Sequence, residues 1–523
     1  MTQRLATSAL IGLMALALGA CGKKPVDTPD APQTGVHTFT VLAGSELKEI
    51  EPKLKEAAAT AGVDLRMSYA GTLDIVERIN SGDSFDAMLP PNGAYPALAL
   101  TTKPVAREKL FYSRVALGVK AAKLKELGWD KKNPSWADIA KVAKQGRLRY
   151  AMTNPTSSNT GMSTLFAVAS AVAGKTEDLT VKEVDGKVIQ GFLSGQKLTA
   201  GSSGWLAEAF TKAVSTLDAM VNYEAVLLRT NEKLADADKL TLVYPQDGVI
   251  SADYPLMLLN AGKRDDYNKL VSAIKAPDMQ RAVTMQAFLR PAVPDAPLGV
   301  GLSTAPVAEL SFPNSLDVID AVLESYQGEW RRPATSIFVL DTSGSMAGAR
   351  ITAMTDALKV LSGADASTAS ARYARFQARE HVYLIQFSNA VRVPVAVDFE
   401  TTPLAQARAN VISFANGLSA DGGTAIFAAL LRAQELAARE QAKDPNRVVS
   451  IVLLTDGENN VEPSLDGFRQ RLAGKAPVPV FPILFGEASP ADMTALAQFT
   501  GGRVFDGRKV RLSSLFKEIR GYQ

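Results

Sequence analysis

The chain has 523 residues, of which 46% are hydrophobic and 21% are charged, a composition typical of a globular protein with two or three domains. Its net charge of +3, with no basic run interleaved with aromatic residues, argues against nucleic-acid binding. One Cys (Cys21) and two His (His37 and His381) exclude disulfide bonds and a Cys/His zinc site, and the sequence has no phosphate-loop or dinucleotide-binding motif.

The amino terminus, residues 1–21, is typical of a lipoprotein signal peptide. Arg4 supplies a positive charge, and residues 9–20 are apolar but too few to span a membrane as a helix. The segment ends in Leu18-Gly19-Ala20-Cys21, which resembles the bacterial lipobox. The resemblance implies that Cys21 is diacylated and holds the protein at a membrane surface facing the periplasm. Gly22, in place of Asp, slightly favours the outer membrane.

Residues 22–36 predict a disordered tether, because three prolines interrupt a stretch without apolar periodicity. Strands are then predicted at residues 39–43, 63–69 and 85–89, with helices after the first two. Alternating strands and helices indicate a parallel sheet. The strand-to-helix turns carry glycine and hydroxyl residues, which together with helix N-terminal N–H groups can cradle an anion.

The pattern continues with predicted strands at residues 148–152, 219–223 and 240–244. This order resembles the periplasmic solute-binding proteins of ABC transporters, nearest to the type that binds molybdate or tungstate. The resemblance implies a two-lobed clamp over residues 37–300, with lobe one at 37–113 and 246–300 and lobe two at 114–245. It also implies solute-binding groups in the turns of both lobes, namely Gly44, Ser45, Gly71, Thr72, Thr156, Ser157, Ser158, Asn159 and Tyr223.

The sequence does not identify the ligand of this clamp. Glu46, beside Ser45, would repel an anion. Three alternatives therefore stand: an oxyanion, another small solute, and a docking module that binds no solute. Helix N-capping is the alternative role for each single Ser or Thr in these turns.

Two weaker patterns lie outside these turns. Residues 177–187 alternate charged and apolar side chains and predict an edge hairpin that turns at Asp185-Gly186. Residues 301–335 predict a connector, in which residues 315–326 form a short amphipathic helix.

The carboxyl-terminal part begins with a short apolar run, residues 336–340, that predicts a strand buried on both faces of a parallel sheet. The run leads into the motif Asp-x-Ser-x-Ser at residues 341–345. A glycine loop at residues 422–424 ends in a threonine, and a second predicted buried strand at 449–454 is followed by Thr-Asp-Gly. Their oxygen atoms can converge on a hard cation at the carboxyl edge of the sheet. The candidate ligands are Asp341, Ser343, Ser345, Thr424 and Asp456.

These five residues resemble, in order and in placement, the metal-ion-dependent adhesion site of the von Willebrand factor A family. The resemblance implies a doubly wound α/β domain over residues 336–523 that holds Mg²⁺ or Mn²⁺ and binds a protein ligand through a carboxylate. Two carboxylates and three neutral hydroxyls would leave such an ion electrophilic, with a water exchangeable for that carboxylate.

The predicted fold class is therefore α/β, a periplasmic-binding-protein-like clamp followed by a Rossmann-like von Willebrand factor A domain. We expect a lipid-anchored envelope protein that engages a protein partner through the metal and binds a small solute or oxyanion in the clamp. The alternative is the solute receptor of an ABC transporter with an accessory metal-binding domain. Metal-assisted hydrolysis at Asp341 and Asp456 is disfavoured because the motif holds no general base, so no enzyme is expected.

Overall fold

The computed structural model describes residues 37–364, 366–508 and 512–522. The predicted signal peptide, the lipidation residue Cys21 and the tether at 22–36 lie outside the described residues. Within those ranges, no helix has the length and apolar character needed to cross a membrane.

The first region alternates strands with helices, as its apolar pattern predicts. β1 begins with alternating burial and ends in four buried residues, as expected of a strand covered on both faces. β1 lies parallel to β2 on one side and to β3 on the other. The elements are β1 (His37–Gly44), α1 (Glu51–Thr60), β2 (Val63–Ala70), α2 (Thr72–Asn80), β3 (Ala87–Leu89), α3 (Ala94–Ala99) and β4 (Ala106–Lys109).

The second region builds a second sheet and then returns to the first. Its elements are β5 (Phe111–Lys120), α4 (Ala121–Glu126), α5 (Trp136–Lys144), β6 (Tyr150–Thr153), α6 (Asn159–Ala173), α7 (Gly186–Leu193), β7 (Gln196–Ala200), α8 (Ser203–Ala213), β8 (Ala219–Tyr223), α9 (Glu224–Asn231), β9 (Leu240–Val243), β10 (Ser251–Ala252) and β11 (Pro255–Leu258). β11 completes the first sheet, whose order is β2-β1-β3-β11-β4.

A third group of elements covers the clamp and leads to the carboxyl-terminal domain. These elements are α10 (Arg264–Lys275), α11 (Pro277–Ala287), β12 (Arg290–Pro291) and α12 (Leu316–Ser325). α12 places Ile319, Val322 and Leu323 in the clamp core, which fits its predicted amphipathic pattern.

The strand pairing differs from the predicted division of the lobes at 246–300. β10 and β12 lie in this segment but pair antiparallel with β5, a strand of the second sheet. The cause is the length of β5. Its last residues pair with β8 and β9, and its first four residues need other partners for their backbone groups.

The hairpin predicted at 177–187 is wrong. Residues 181–183 form a short 3₁₀ turn, and α7 begins at Gly186. The Asp185 carboxylate accepts hydrogen bonds from the backbone N–H groups of Lys187 (2.9 Å) and Val188 (3.2 Å). Asp185 is therefore an N-cap that starts a helix, a role for which Asp is as suited as it is for a turn.

The carboxyl-terminal domain has one six-stranded sheet in the order β15-β14-β13-β16-β17-β18. Its elements are β13 (Ala334–Asp341), α13 (Ala349–Leu361), α14 (Ala369–Ala374), β14 (Glu380–Phe387), β15 (Val395–Asp398), α15 (Leu404–Asn416), α16 (Ile426–Lys443), β16 (Val448–Thr455), α17 (Leu465–Arg471), β17 (Val480–Leu484), α18 (Pro490–Thr500), β18 (Phe505–Asp506) and α19 (Leu512–Arg520). β13 is buried along its whole length and lies parallel to β14 and β16. The predicted fold class is confirmed.

The carboxyl-terminal domain contacts both lobes of the clamp. α14 and α19 lie against α2 of lobe one, while the preceding connector and the end of α19 reach the turn after β6 in lobe two. The hydrogen bonds are Ser370 Oγ to Asp74 Oδ1 (2.8 Å), Lys517 Nζ to Glu77 Oε1 (2.8 Å), Gln327 Nε2 to Thr156 Oγ1 (2.9 Å) and Asn154 Nδ2 to Arg520 O (3.4 Å). The domain therefore bridges the two lobes.

Candidate metal centre and solute cavity

The candidate metal centre lies where β13 and β16 end side by side. Because these neighbouring strands are parallel, their carboxyl ends bring Asp341 and Asp456 to the same edge of the sheet. The glycine loop before α16 joins them there, since the Gly344 N–H donates to the Gly422 carbonyl at 2.9 Å. Parallel strand pairing and this loop-to-loop hydrogen bond thus bring together three loops that are far apart in sequence.

Hydrogen bonds connect four of the five predicted ligands. The Ser343 N–H donates to Asp341 Oδ1 at 2.8 Å, and the Ser343 and Ser345 hydroxyls lie 3.1 Å apart. Ser345 Oγ donates to Asp456 Oδ1 at 2.7 Å. Two carboxylates and two hydroxyls therefore lie within hydrogen-bond reach of one another.

The fifth predicted ligand, Thr424, faces the same point. A Cβ placed on Gly457 would lie 3.6 Å from Thr424 Oγ1 and 3.8 Å from Ser345 Oγ. The Thr424 backbone is held by its N–H, which donates to Asn460 Oδ1 at 2.7 Å. Position 457 therefore lies in van der Waals range of both hydroxyls, which places Thr424 beside Ser345.

Asp341 is the residue of the centre whose ionised form is made unfavourable by burial. It is fully buried, and burial raises the pKa of its carboxyl, an effect that Asp456 increases and that hydrogen bonds from Thr455 and Ser343 oppose. In the described ranges, no Lys, Arg or His nitrogen forms an ion pair with this carboxylate. A buried carboxylate without a cation is unfavourable, and a divalent ion would remove that cost.

Arg350 also contacts the candidate centre and is not predicted from the sequence. Its Nη1 contacts Asp456 Oδ2 and donates to the Ser345 carbonyl at 3.2 Å. The signal that points to it is its place in the first turn of α13, directly after the metal loop. A cation bound by Asp456 therefore competes with a guanidinium of the chain itself.

The donor set fits the metal that the resemblance implies. It consists of oxygen atoms alone, two from carboxylate side chains and three from hydroxyls, which is the preference of Mg²⁺ and Mn²⁺. Four of the five residues are buried and Ser345 is exposed, so the centre opens to solvent on one side.

A candidate solute cavity lies between the two lobes and has a volume of about 10 Å³, room for about one water. Six of the nine predicted solute-binding residues line it, and they come from turns in both lobes. The lining residues are Gly44, Ser45, Glu46, Ala70, Gly71, Thr72, Pro91, Ser158, Asn159, Ser202 and Ser203.

The other three predicted residues are used elsewhere. Thr156 Oγ1 accepts a hydrogen bond from Gln327 of the connector at 2.9 Å. Ser157 Oγ donates to the Gly201 carbonyl at 3.2 Å. Tyr223 lies behind the cavity, fully buried. The lobe-two turn after β6 thus contacts the connector to the carboxyl-terminal domain and also lines the cavity.

Two lining residues, Ser202 and Ser203, were missed although the sequence carries a signal for them. They follow β7 and precede most of α8, within the run Gly201-Ser202-Ser203-Gly204. This is the same strand, glycine, hydroxyl and helix order that singled out Gly71 and Thr72.

The lobes touch each other at Gly71. A Cβ on this residue would lie 2.1 Å from the carbonyl oxygen of Ser157 in the opposite lobe, a distance that no side chain can occupy. Glycine is therefore required for this contact between the lobes.

Comparison with known proteins assigns the two halves separately. Residues 39–289 match the family described as bacterial extracellular solute-binding protein, and residues 336–458 match the von Willebrand factor type A domain. Both resemblances predicted from the sequence are thereby confirmed. No curated protein gives a significant match.

Among solved structures, the chain is similar to the ferric binding protein from Campylobacter jejuni, with 14% identity, 55% of this chain and 95% of that chain covered, and a TM-score of 0.42. It is also similar to the periplasmic binding protein AfuA from Actinobacillus pleuropneumoniae, with 12% identity, coverage of 55% and 97%, and a TM-score of 0.45. A von Willebrand factor type A protein from Catenulispora acidiphila has 21% identity, coverage of 36% and 42%, and a TM-score of 0.29.

Proposed function

We propose that this chain, a solute-binding-protein clamp joined to a von Willebrand factor A domain, is a lipid-anchored envelope protein with two binding sites. One site captures a protein partner through a divalent metal ion. The other binds a small solute between the lobes of the clamp.

The observation that supports the first site is the buried Asp341 carboxylate, which has no basic partner in the described chain and faces converging hydroxyls. The residues that would hold Mg²⁺ or Mn²⁺ are Asp341, Ser343, Ser345, Thr424 and Asp456. When bound, the ion supplies an exchangeable position for a carboxylate of the partner. The chain's own part is to orient these oxygens through the hydrogen bonds of the loops.

The observation that supports the second site is the cavity itself. Turns of both lobes line it, and the two lobes meet at Gly71. Binding between two lobes suits a solute that is released when they part.

The proposed location rests on two features of different kinds. The match of residues 39–289 to extracellular solute-binding proteins favours the cell envelope. The Leu-Gly-Ala-Cys sequence ending at Cys21 favours a diacyl anchor, and Gly22 favours the outer membrane. Growth with radiolabelled palmitate tests the anchor, since Cys21→Ser should lose the label.

A second candidate function is the solute receptor of an ABC transporter, with the metal domain as an accessory. The same family match favours it. The two candidates differ in what the metal centre contributes: a receptor would deliver solute equally well without it, whereas the first proposal requires it for capture of a protein.

The metal centre is tested by Mn²⁺ titration of the full chain, followed by electron paramagnetic resonance. Asp341→Ala should abolish binding at this centre, and Asp421→Ala, an exposed acid on the neighbouring loop, should leave it intact. Arg350→Gln should raise the Mn²⁺ affinity several-fold, because it removes the competing guanidinium from Asp456.

Capture of envelope proteins in Mg²⁺ then tests the latch. Capture should disappear with EDTA and with Asp341→Ala. Capture that persists under both conditions would contradict the proposed role of the metal, whatever the Mn²⁺ titration shows.

A further inference from the structure

We propose that the cavity between the lobes binds the primary ammonium group of a small amine, and not an oxyanion. This inference rests on the proposed solute-binding role of the clamp and names the class of solute. It is carried by the polar atoms that line the cavity, by the one charge among them and by the size of the cavity.

The lining presents a set of buried polar atoms without partners. Each of these atoms is shielded from solvent and makes no hydrogen bond within the described part of the chain. Glu46, Thr72, Asn159 and Ser202 are also at least nine-tenths buried as residues. The atoms are Ser45 Oγ, Glu46 Oε1, Thr72 Oγ1, Asn159 Oδ1 and Ser202 Oγ. Unsatisfied buried polar atoms are costly, so their convergence on one cavity points to a ligand that satisfies them.

Two of these atoms act as acceptors. Glu46 Oε1 lies against Gly44, another lining residue, since a Cβ on Gly44 would be 2.7 Å away from it. The Asn159 side-chain nitrogen donates to Tyr223 Oη at 2.8 Å and to Ser163 Oγ at 3.2 Å. These two bonds use the amide donors and leave the carbonyl oxygen Oδ1 for the cavity. The three hydroxyls can accept as well as donate.

The Glu46 charge is not balanced by a basic residue of the lining, which contains no Lys, Arg or His. The nearest guanidinium, Arg229, is committed elsewhere. It forms an ion pair with Glu49 and donates to the carbonyl of Ala287, and its contact with Glu46 is to the backbone oxygen at 3.5 Å. Burial raises the pKa of the Glu46 carboxyl to about 7, although its own backbone N–H, the positive charge of Arg229 and the Tyr254 hydroxyl oppose the rise.

An ammonium group matches these requirements. It has three N–H donors and no acceptor, and its single positive charge balances one carboxylate. A cavity of about 10 Å³ admits a group of about one heavy atom. An oxyanion would face Glu46 without a cation to bind it. A divalent metal ion carries two charges, of which the single carboxylate of the lining balances only one.

A larger cavity next to this one is negatively charged, as Glu46 is. It has a volume of about 510 Å³ and shares Ala70 and Gly71 with the smaller cavity. Its lining has an excess of acidic side chains, since the carboxylates of Asp74, Glu77, Asp83 and Glu518 outnumber the cations Arg78 and Lys517. The remainder of an amine, or a second ammonium group, would therefore enter acidic surroundings.

The test is thermal unfolding of the full chain in EDTA, with methylammonium, ethanolamine and putrescine against molybdate, phosphate and sulfate. A saturable rise in melting temperature with an amine is expected, followed by calorimetric titration. Calcium and magnesium chlorides are tested without EDTA on Asp341→Ala, so that the metal centre does not contribute.

Glu46→Gln should lower the amine affinity at least tenfold, and Glu56→Gln, an exposed carboxylate on α1, should leave it unchanged. Loss of fold does not explain such a result, because neutralising Glu46 removes an unfavourable buried charge and should raise the melting temperature without ligand.

Three results would overturn the inference. A response to oxyanions or to metal salts alone would overturn the amine class and leave solute binding intact. An amine response that survives Glu46→Gln would place the amine elsewhere. No response to any compound would overturn this inference.

Discussion

Buried carboxylates in this molecule differ in whether the chain supplies them with a cation. Glu380 is fully buried and receives two guanidinium groups, from Arg331 of the connector and Arg520 of α19. Glu46 and Asp341 are buried without an ion pair to their carboxylates in the described chain, and each faces a candidate site. At the scale of single residues, a buried carboxylate that is paired with a guanidinium indicates a structural role. A buried carboxylate without an ion pair indicates a place where a cationic ligand can bind.

The structural role of Glu380 gives the first prediction. Glu380→Ala leaves two buried guanidinium groups without their carboxylate, so the free energy of unfolding should fall by about 3–5 kcal/mol. Urea denaturation measures the change. Glu435→Ala, which removes an exposed partner of Arg432, should change it by less than about 1 kcal/mol. A loss for Glu380→Ala as small as the control's would show that the pair adds little.

The burial of Glu46 predicts a pH dependence of stability. Burial raises the pKa of Glu46, and separately that of Glu518, to about 7 from an ordinary value of 4.5. The unfolded chain ionises first, so this contribution to stability is lost as pH rises from about 4.5 through 7. For the fully buried Glu46 the loss is at most about 3 kcal/mol.

Melting temperatures measured in EDTA between pH 5 and pH 8 check this prediction. The wild-type protein should lose stability towards pH 8, and the double variant Glu46→Gln, Glu518→Gln should lose less over the same interval. Parallel curves for the two proteins would contradict the raised pKa values.

At the scale of elements, strands and helices with a clear apolar period could be predicted, and pairings between distant segments could not. β13 and β16 are short buried runs that end in polar loops, and their parallel pairing places the metal ligands as the sequence indicates. The pairing of β10 and β12 with β5 depends on unpaired backbone groups that no local pattern encodes. The same limit explains Thr156, whose turn chemistry suits a solute and whose partner is Gln327 of the connector.

The contact between the turns before α2 and α6 gives a prediction at this scale. Gly71→Ala places a Cβ 2.1 Å from the Ser157 carbonyl oxygen, so the lobes must separate. The backbone of Gly71 is extended (φ −72°, ψ 160°) and accommodates alanine, so each lobe should remain folded. Small-angle scattering should show a larger radius of gyration, and affinity for any solute should fall at least tenfold.

Gly328→Ala is the matched control, since a Cβ there meets nothing within 4 Å. It should leave both scattering and solute affinity unchanged. A radius of gyration unchanged by Gly71→Ala would mean that the Ser157 turn moves instead of the lobe.

At the scale of the whole molecule, a continuous series of packed helices connects the metal loop of the carboxyl-terminal domain to both lobes of the clamp. α13 starts after the metal loop and packs on α19, and α19 contacts α2 of lobe one and the neighbouring lobe-two turn. Lobe one cannot move away from lobe two unless the contacts to one of the two lobes break. Opening of the clamp is therefore linked to release of the domain from one lobe, and this linkage acts in both directions.

Lys517→Glu tests this connection. The substitution replaces an ion pair with Glu77, in which both side chains are mostly buried, by a like-charge contact beside Asp74. We expect the docking of α19 on lobe one to weaken by about 1–2 kcal/mol. Hydrogen exchange should speed up in α2 and in the turn at Ser157, while the core strand β13 stays protected.

Lys475→Glu supplies the control, because Lys475 is exposed and lies far along the chain from these contacts. If the domain bridges the lobes as its contacts indicate, Lys517→Glu should also make solute exchange faster, since lobe one is held by fewer contacts. Faster hydrogen exchange in α2 without faster solute exchange would show that docking of the domain does not control opening of the clamp. The contact between Gly71 and Ser157 would then hold the clamp closed by itself.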